Sequence, residues 1–304
     1  MKIIDAHSHI GDILYPGGGE LIFKTGIPFP PPSIYHRSYE KTLFRETFVT
    51  RVIDKAAPMI PVNCERRRNF AATMENFRAS LAGTEISRCV CAPIAPNVTF
   101  ADILAAQKAD PRIVAFTTPD FTASGTVELL TKDLPLAAGV KIHPIIQETE
   151  ADSREVIEAV EVVAAFPKPV LLHAGESLYY TRREKKARFT RFASIDKIGR
   201  LIAAFPGVKF IVGHAGLGEV AQTIGLLPKY KNAYVDASFQ TPEAIGALIS
   251  AFGGGRVLFA SDWPYGMRPL AILAMEEACK GDEGLRRAVF HDNAAELLGL
   301  CTRS

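Results

Sequence analysis

Eight short runs rich in Val, Ile and Phe alternate with longer amphipathic stretches, and this alternation restricts the fold more than any other feature of the chain. The runs are Lys2–His9, Ser87–Ala92, Ile113–Thr117, Gly139–His143, Pro169–His173, Lys209–His214, Ala233–Ala237 and Arg256–Asp262. Several are almost unbroken apolar segments, as expected for parallel strands covered on both faces. Between them, Asp152–Ala165, Ser194–Ala204 and Pro242–Phe252 read as helices, the last stopped by Gly253-Gly254-Gly255. A closing helix is expected over Asp292–Leu298. Eight strand–helix units predict an α/β fold, a single-domain (β/α)8 barrel, and 304 residues is an ordinary length for one. No glycine-rich dinucleotide fingerprint follows the first run and no phosphate loop occurs, which argues against an open nucleotide-binding sheet.

Two segments break the regular spacing. The first, from Gly11 to about Cys64, carries Pro28, Pro30, Pro31 and Pro32, and an excursion this long reads as a lid or an oligomer contact, which admits a homodimer. The second runs from Tyr179 to Arg188 after the fifth strand. Both leave the C-terminal ends of strands, the face on which barrel active sites form. The basic stretch from Arg182 to Arg191 reads as solvated surface, or as a clamp for an acidic substrate.

Charge narrows the partners. The 35 basic and 33 acidic residues nearly cancel, so neither nucleic acid nor a membrane surface is an expected partner. No window reaches the roughly 20 apolar residues needed to span a bilayer. Met1-Lys2 leads straight into Ile3-Ile4-Asp5 without an apolar leader, and five cysteines suit a reducing compartment, so a cytoplasmic protein is expected. Cys89 and Cys91 face the same side of one strand and read as buried thiols of the core rather than soft metal ligands.

The histidines point to chemistry. Of seven, five fall at predicted strand ends: His7 and His9 on the first run, His143 on the fourth, His173 on the fifth and His214 on the sixth. In a barrel these ends converge on one mouth. Two residues apart on an extended strand, His7 and His9 point the same way, so both imidazoles can bind one cation. His173 adds a third nitrogen and Asp262, ending the eighth run, adds a carboxylate oxygen. Such a mixed N/O site suits one divalent ion, zinc first, with manganese, iron or cobalt as substitutes. Lys141 and His143 share a face of the fourth strand and are expected to contact a carboxylate or carbonyl of a small-molecule substrate. His36 and His291 receive no catalytic role, and Glu176 is left between the mouth and solvent.

Asp5-Ala6-His7-Ser8-His9, Leu172-His173-Ala174, Gly213-His214-Ala215-Gly216, Ser261-Asp262-Trp263-Pro264 and Asn293-Ala294-Ala295-Glu296-Leu297-Leu298-Gly299 together resemble the amidohydrolase superfamily. The likeness is greatest to its branch related to aminocarboxymuconate-semialdehyde decarboxylase, and it spans nearly the whole chain. The resemblance implies that His7, His9, His173 and Asp262 hold the metal, with His214 beside it as a catalytic partner of Asp262. A divalent ion lowers the pKa of bound water from about 16 to about 7. Asp262 would then carry the proton and His214 would orient the nucleophile or steady the developing oxyanion. Elsewhere in the superfamily a strand-four lysine is carbamylated and bridges two metals, which would make Lys141 a ligand of a second ion.

Because the tryptophan after Asp262 is more like hydrolytic and lactonase members, the first expectation is hydrolysis of a small lactone, ester or amide carrying a carboxylate. The second is metal-dependent, non-oxidative decarboxylation of an aromatic or unsaturated acid. A third, a ligand-binding barrel without catalysis, would be expected to lack a metal ligand, and none is missing from the sequence.

Overall fold

In the computed structural model, which describes residues 1–181, 183–184 and 189–300, every apolar run contains a parallel strand. These are β1 (Ile3–Ser8), β2 (Ile86–Cys91), β3 (Ile113–Ala115), β4 (Val140–Ile142), β5 (Val170–Leu172), β6 (Phe210–Val212), β7 (Ala233–Asp236) and β8 (Val257–Leu258). One ladder joins β1, β2 and β3 in order, and a second joins β4 through β8. Backbone hydrogen bonds cross both seams. Thr117 N–H donates to Gly139 O at 2.9 Å and Lys141 N–H to Thr117 O at 2.7 Å. At the other seam, Asp262 N–H donates to His7 O at 2.8 Å and His9 N–H to Trp263 O at 2.6 Å, which returns the end of the sheet to its beginning.

The strands are shorter than their apolar runs, and most clearly so at their C-terminal ends. Within the run Arg256–Asp262 only Val257–Leu258 forms regular strand. Asp262 (φ 52°) and His214 (φ 55°) adopt left-handed backbone, which cannot continue a ladder and re-aims each side chain into the mouth. In β1 a register shift between Asp5 and Ser8 marks the same change of direction around His7.

Helices ring the sheet: α4 (Met74–Leu81) before β2, then α5 (Phe100–Ala109), α6 (Thr126–Asp133), α7 (Arg154–Ala164), α8 (Ile195–Ala204), α9 (Val220–Leu226), α10 (Pro242–Phe252), α11 (Arg268–Ala278), α12 (Glu283–Arg287) and α13 (Asn293–Leu297). The local causes are ordinary. Ser153 caps α7, which buries Val156, Ala159, Val160 and Val163 on one helical face. Thr241 and Pro242 open α10, and Gly253 (φ 80°) ends it. Alternation along the strands divides the core. Ile4, Val90, Val114, Leu171, Ile211 and Leu258 form one cluster with Ala294, Ala295 and Leu297 of α13, while Ile3, Cys89, Cys91, Val140, Leu172 and Val212 belong to the layer that contains the helices. Burial pushes the Cys89 thiol up to about 12 and Cys91 up as well, as expected for inert core thiols. Cys301 lies outside the described residues.

The first excursion is folded rather than a loop. It forms α1 (Ile34–Glu40), α2 (Phe48–Ala56) and α3 (Met59–Asn69), so it ends past Cys64. Ser33 caps α1, and a reciprocal Thr47–Thr50 box caps α2. Among the described residues no helix is long and apolar enough to cross a membrane.

One buried ion pair ties the two ends of the sheet together. Arg268 Nε lies 3.2 Å from Asp5 Oδ2, and both side chains are fully buried. The Ser261 hydroxyl donates to the same carboxylate at 2.6 Å, and the guanidinium lies over the Trp263 ring at 5.0 Å. Removing either ion would leave the other uncompensated in the core. The pair fixes the segments that carry His7 and Asp262.

Candidate active site

Three of the buried imidazoles, His7, His9 and His214, are held by their Nδ1 atoms. His7 Nδ1 lies 2.9 Å from Asp236 Oδ2, His9 Nδ1 lies 2.7 Å from Ala92 O, and His214 Nδ1 lies 2.7 Å from the Ser238 hydroxyl. The carboxylate and the carbonyl can only accept, so the neutral rings of His7 and His9 carry their protons on Nδ1. Their Nε2 lone pairs then face one another at 3.1 Å. Asp262 Oδ1 stands 3.3 Å from His9 Nε2 and 3.6 Å from His7 Nε2, and this buried oxygen has no hydrogen-bond partner. Three electron-rich atoms converging out of water repel one another unless a cation lies between them. The donor set therefore fits a divalent metal: among the described residues His7, His9 and Asp262 form one group that could hold it, and His7, His214 and Asp236 form another.

His173 is fully buried beside these groups but outside both. Its Nε2 lies 3.2 Å from the Ser177 hydroxyl, and its ring stacks on His143 at 3.9 Å and lies 5.1 Å from His214. His143 accepts a hydrogen bond at Nδ1 from Ile146 N–H at 3.3 Å and backs His173. Lys141 reaches the centre, with Nζ 2.8 Å from His7 Nε2. Burial brings its ammonium down to about 8, against the opposing pull of Asp262 and Asp236. Burial, reinforced by Lys141, holds His9 at about 3 and also lowers His7 and His173. Burial lowers His214 too, and it raises Asp262 well above the usual carboxylate range.

Above this floor lies a cavity of about 510 Å³. His214 and Asp262 are at its base, with Tyr179, Phe239 and Tyr265 along its sides, and Tyr35, Tyr39 and Phe44 come from the first excursion. Arg68 pins that excursion in place, pairing with Glu40 at 2.6 Å and donating to the Tyr265 carbonyl. His36 lines the cavity as well, 3.0 Å from Glu65. Glu176 reaches the rim in a surface pair with Arg191 at 2.9 Å, whereas Arg182 and residues 185–188 of the basic stretch lie outside the described residues.

Sequence reasoning missed Asp236, which orients His7 and also accepts His214 N–H at 2.9 Å. The signal was present: an acidic residue stands next to last in the seventh apolar run, much as Asp262 ends the eighth. Asp5, two residues before His7, had the same kind of signal. Phe239, Tyr179, Tyr265 and Arg68 had none, because only the folded loops bring them to the mouth.

The family model described as Amidohydrolase matches residues 4–300. No curated protein matches the sequence. Among solved structures, an uncharacterized TIM-barrel protein from Bordetella bronchiseptica is 17% identical, with 98% of this chain and 99% of that one covered and a TM-score of 0.67. The 5-carboxyvanillate decarboxylase of Novosphingobium aromaticivorans, complexed with manganese and 4-hydroxy-3-methoxy-5-nitrobenzoic acid, is 15% identical over 98% and 96% of the chains, with a TM-score of 0.64. The 2,6-dihydroxybenzoate decarboxylase of Rhizobium is 14% identical over 99% of each chain, with a TM-score of 0.62.

Proposed function

The chain belongs to the amidohydrolase family, and from that premise we propose that it is a metal-dependent decarboxylase acting without redox chemistry on a small aromatic carboxylic acid. The observation that carries this reading is the cavity of about 510 Å³ that reaches Asp262 and His214 and is lined in part by Tyr35, Tyr39, Phe44, Tyr179, Phe239 and Tyr265, a volume that admits a single ring. The decarboxylases among the structural neighbours support it and reverse the order suggested by the sequence, where hydrolysis came first. His7, His9, His173 and Asp262 would hold the ion, with manganese now as good a candidate as zinc. When bound, the ion supplies positive charge that anchors and polarises the acid. Asp262, carrying a proton taken up from solvent, delivers it to the ring carbon bearing the carboxylate. The bond from that carbon to the carboxylate breaks, its electrons stay with the ring, and carbon dioxide leaves. His214, with Nδ1 3.7 Å from Asp262 Oδ2, orients the carboxyl, and Asp236 and Ser238 fix His7 and His214. Helices α1–α3 act as the lid of a single barrel domain, and a reducing cytoplasm suits the free thiols.

Carboxyl-labelled hydroxybenzoates incubated with metal-loaded protein test this reading. The expected result is labelled carbon dioxide equal to the acid consumed, abolished by chelation. Turnover of lactones or esters with acid release and no carbon dioxide would overturn it. One observation favours a second reading. Lys141 Nζ is buried against His7 Nε2, where a carbamate would bridge two ions in a hydrolase. That reading requires two metals per chain.

A further inference from the structure

Eight non-glycine residues among those described adopt positive φ, and five of them line the cavity: Phe44, His214, Leu217, Phe239 and Asp262. Left-handed backbone is costly for a bulky side chain and persists where the surroundings impose it, often at functional sites. His214 and Asp262 have chemical roles that account for theirs. Phe239 (φ 63°) has none so far, yet its surroundings hold it firmly. The Tyr39 hydroxyl of α1 donates to the Phe239 carbonyl at 3.4 Å. The next residue, Gln240, donates to His214 O at 2.6 Å and Leu217 O at 3.3 Å, and the preceding Ser238 donates to Asp236 at 2.5 Å. The ring is held 5.6 Å from the His214 ring and 6.2 Å, edge to face, from Phe44. Gly266 leaves space beside it: a Cβ there would meet Ser261 O at 2.0 Å and the Phe239 ring at 3.4 Å.

We infer that Phe239 is the wall against which the substrate's ring lies, a specificity-determining contact that selects a planar π-system over a saturated ring of the same size and charge. The inference rests on the aromatic-acid reading above. A substrate whose reacting carbon is at Asp262 would extend past His214 along this face. Such ring–ring contact favours the aromatic partner by about fivefold.

The test is equilibrium binding of benzoate and of cyclohexanecarboxylate to the metal-loaded protein and to its Phe239→Leu variant, with thermal midpoints taken in parallel. The wild type is expected to prefer benzoate by about fivefold. Leucine keeps apolar bulk but removes the π face, so the preference should fall to near unity with little change in the midpoint. An unchanged preference in the variant, no preference in the wild type, or no binding of either acid would overturn the inference. Its failure is separable from failure of the decarboxylase reading. Carbon dioxide release with a preference indifferent to Phe239→Leu would sink only the wall. Loss of the preference in the variant, with no acid decarboxylated, would sink only the reaction.

Discussion

Asp262→Asn is expected to lower turnover of the preferred aromatic acid by about 10³-fold while leaving the metal-free protein at least as stable as the wild type. Asparagine keeps the shape of the side chain but cannot carry the proton, and loss of a general acid–base group costs about 10² to 10⁴ in rate. It also removes a negative ligand, so metal affinity should fall. Stability should move the other way. Burial raises the Asp262 carboxyl, which shows that its charged form is unfavourable in the metal-free fold, and Oδ1 is left without a partner. A neutral amide removes that cost. Labelled carbon dioxide release and thermal melts in chelator check both parts. A variant that retains a tenth of wild-type turnover would remove Asp262 from the proton path.

Metal-free protein is expected to unfold in mild acid, because five imidazoles are buried in the neutral form. His7, His9, His143, His173 and His214 are each no more than 2% exposed, and burial is the leading cause of the lowered pKa in every one. In the unfolded chain they protonate near the ordinary value of about 6.5. Below that pH the unfolded state binds protons that the folded state refuses, so their contribution is fully present above about pH 6.5 and falls as pH drops toward the folded values. For His9 that range extends down to about 3. Asp262 opposes the trend, since its raised carboxyl takes up a proton in the folded state first. With about 1.4 kcal/mol per pH unit for each group, a net four protons destabilise by on the order of 5 kcal/mol per unit. A typical stability of about 5–15 kcal/mol would at that slope vanish within about one to three units. Lys141, lowered to about 8, adds stability only as pH rises from there toward its ordinary value. Denaturant midpoints in chelator at pH 7.5, 6 and 5 measure the slope. A midpoint unchanged from 7.5 to 5 would mean that these histidines are not buried neutral.

Much of this was legible before folding, for reasons that can be traced to particular residues. Parallel strands covered on both faces have to be apolar throughout, so the runs that contain β1 to β8 stood out, and α10 could be bounded by Pro242 and Gly253 alone. Histidines and an aspartate at strand ends were visible because the period of a strand places His7 and His9 on one side. Where the strands stop was not legible, since left-handed backbone at His214 and Asp262 depends on tertiary hydrogen bonds rather than local propensity. Nor could the sequence show that His173 would stack on His143 and hydrogen-bond to Ser177 while His7, His9 and Asp262 drew together. The first excursion looked like a loop because Pro28, Pro30, Pro31 and Pro32 cluster before the helices, whereas α1–α3 pack over the mouth through Arg68 and Tyr39. Phe239 and Tyr265 carried no periodic signal at all.

Metal content per chain, measured by plasma mass spectrometry on protein purified without chelator or added metal, decides whether His7, His9, His173 and Asp262 hold an ion. About one zinc or manganese per chain is expected in the wild type and none in a His7→Ala/His9→Ala double variant that still folds. Two ions, one of them lost in Lys141→Ala, would replace the decarboxylase with the bridged hydrolase. No metal in the wild type, even after incubation with zinc and manganese, would contradict the account.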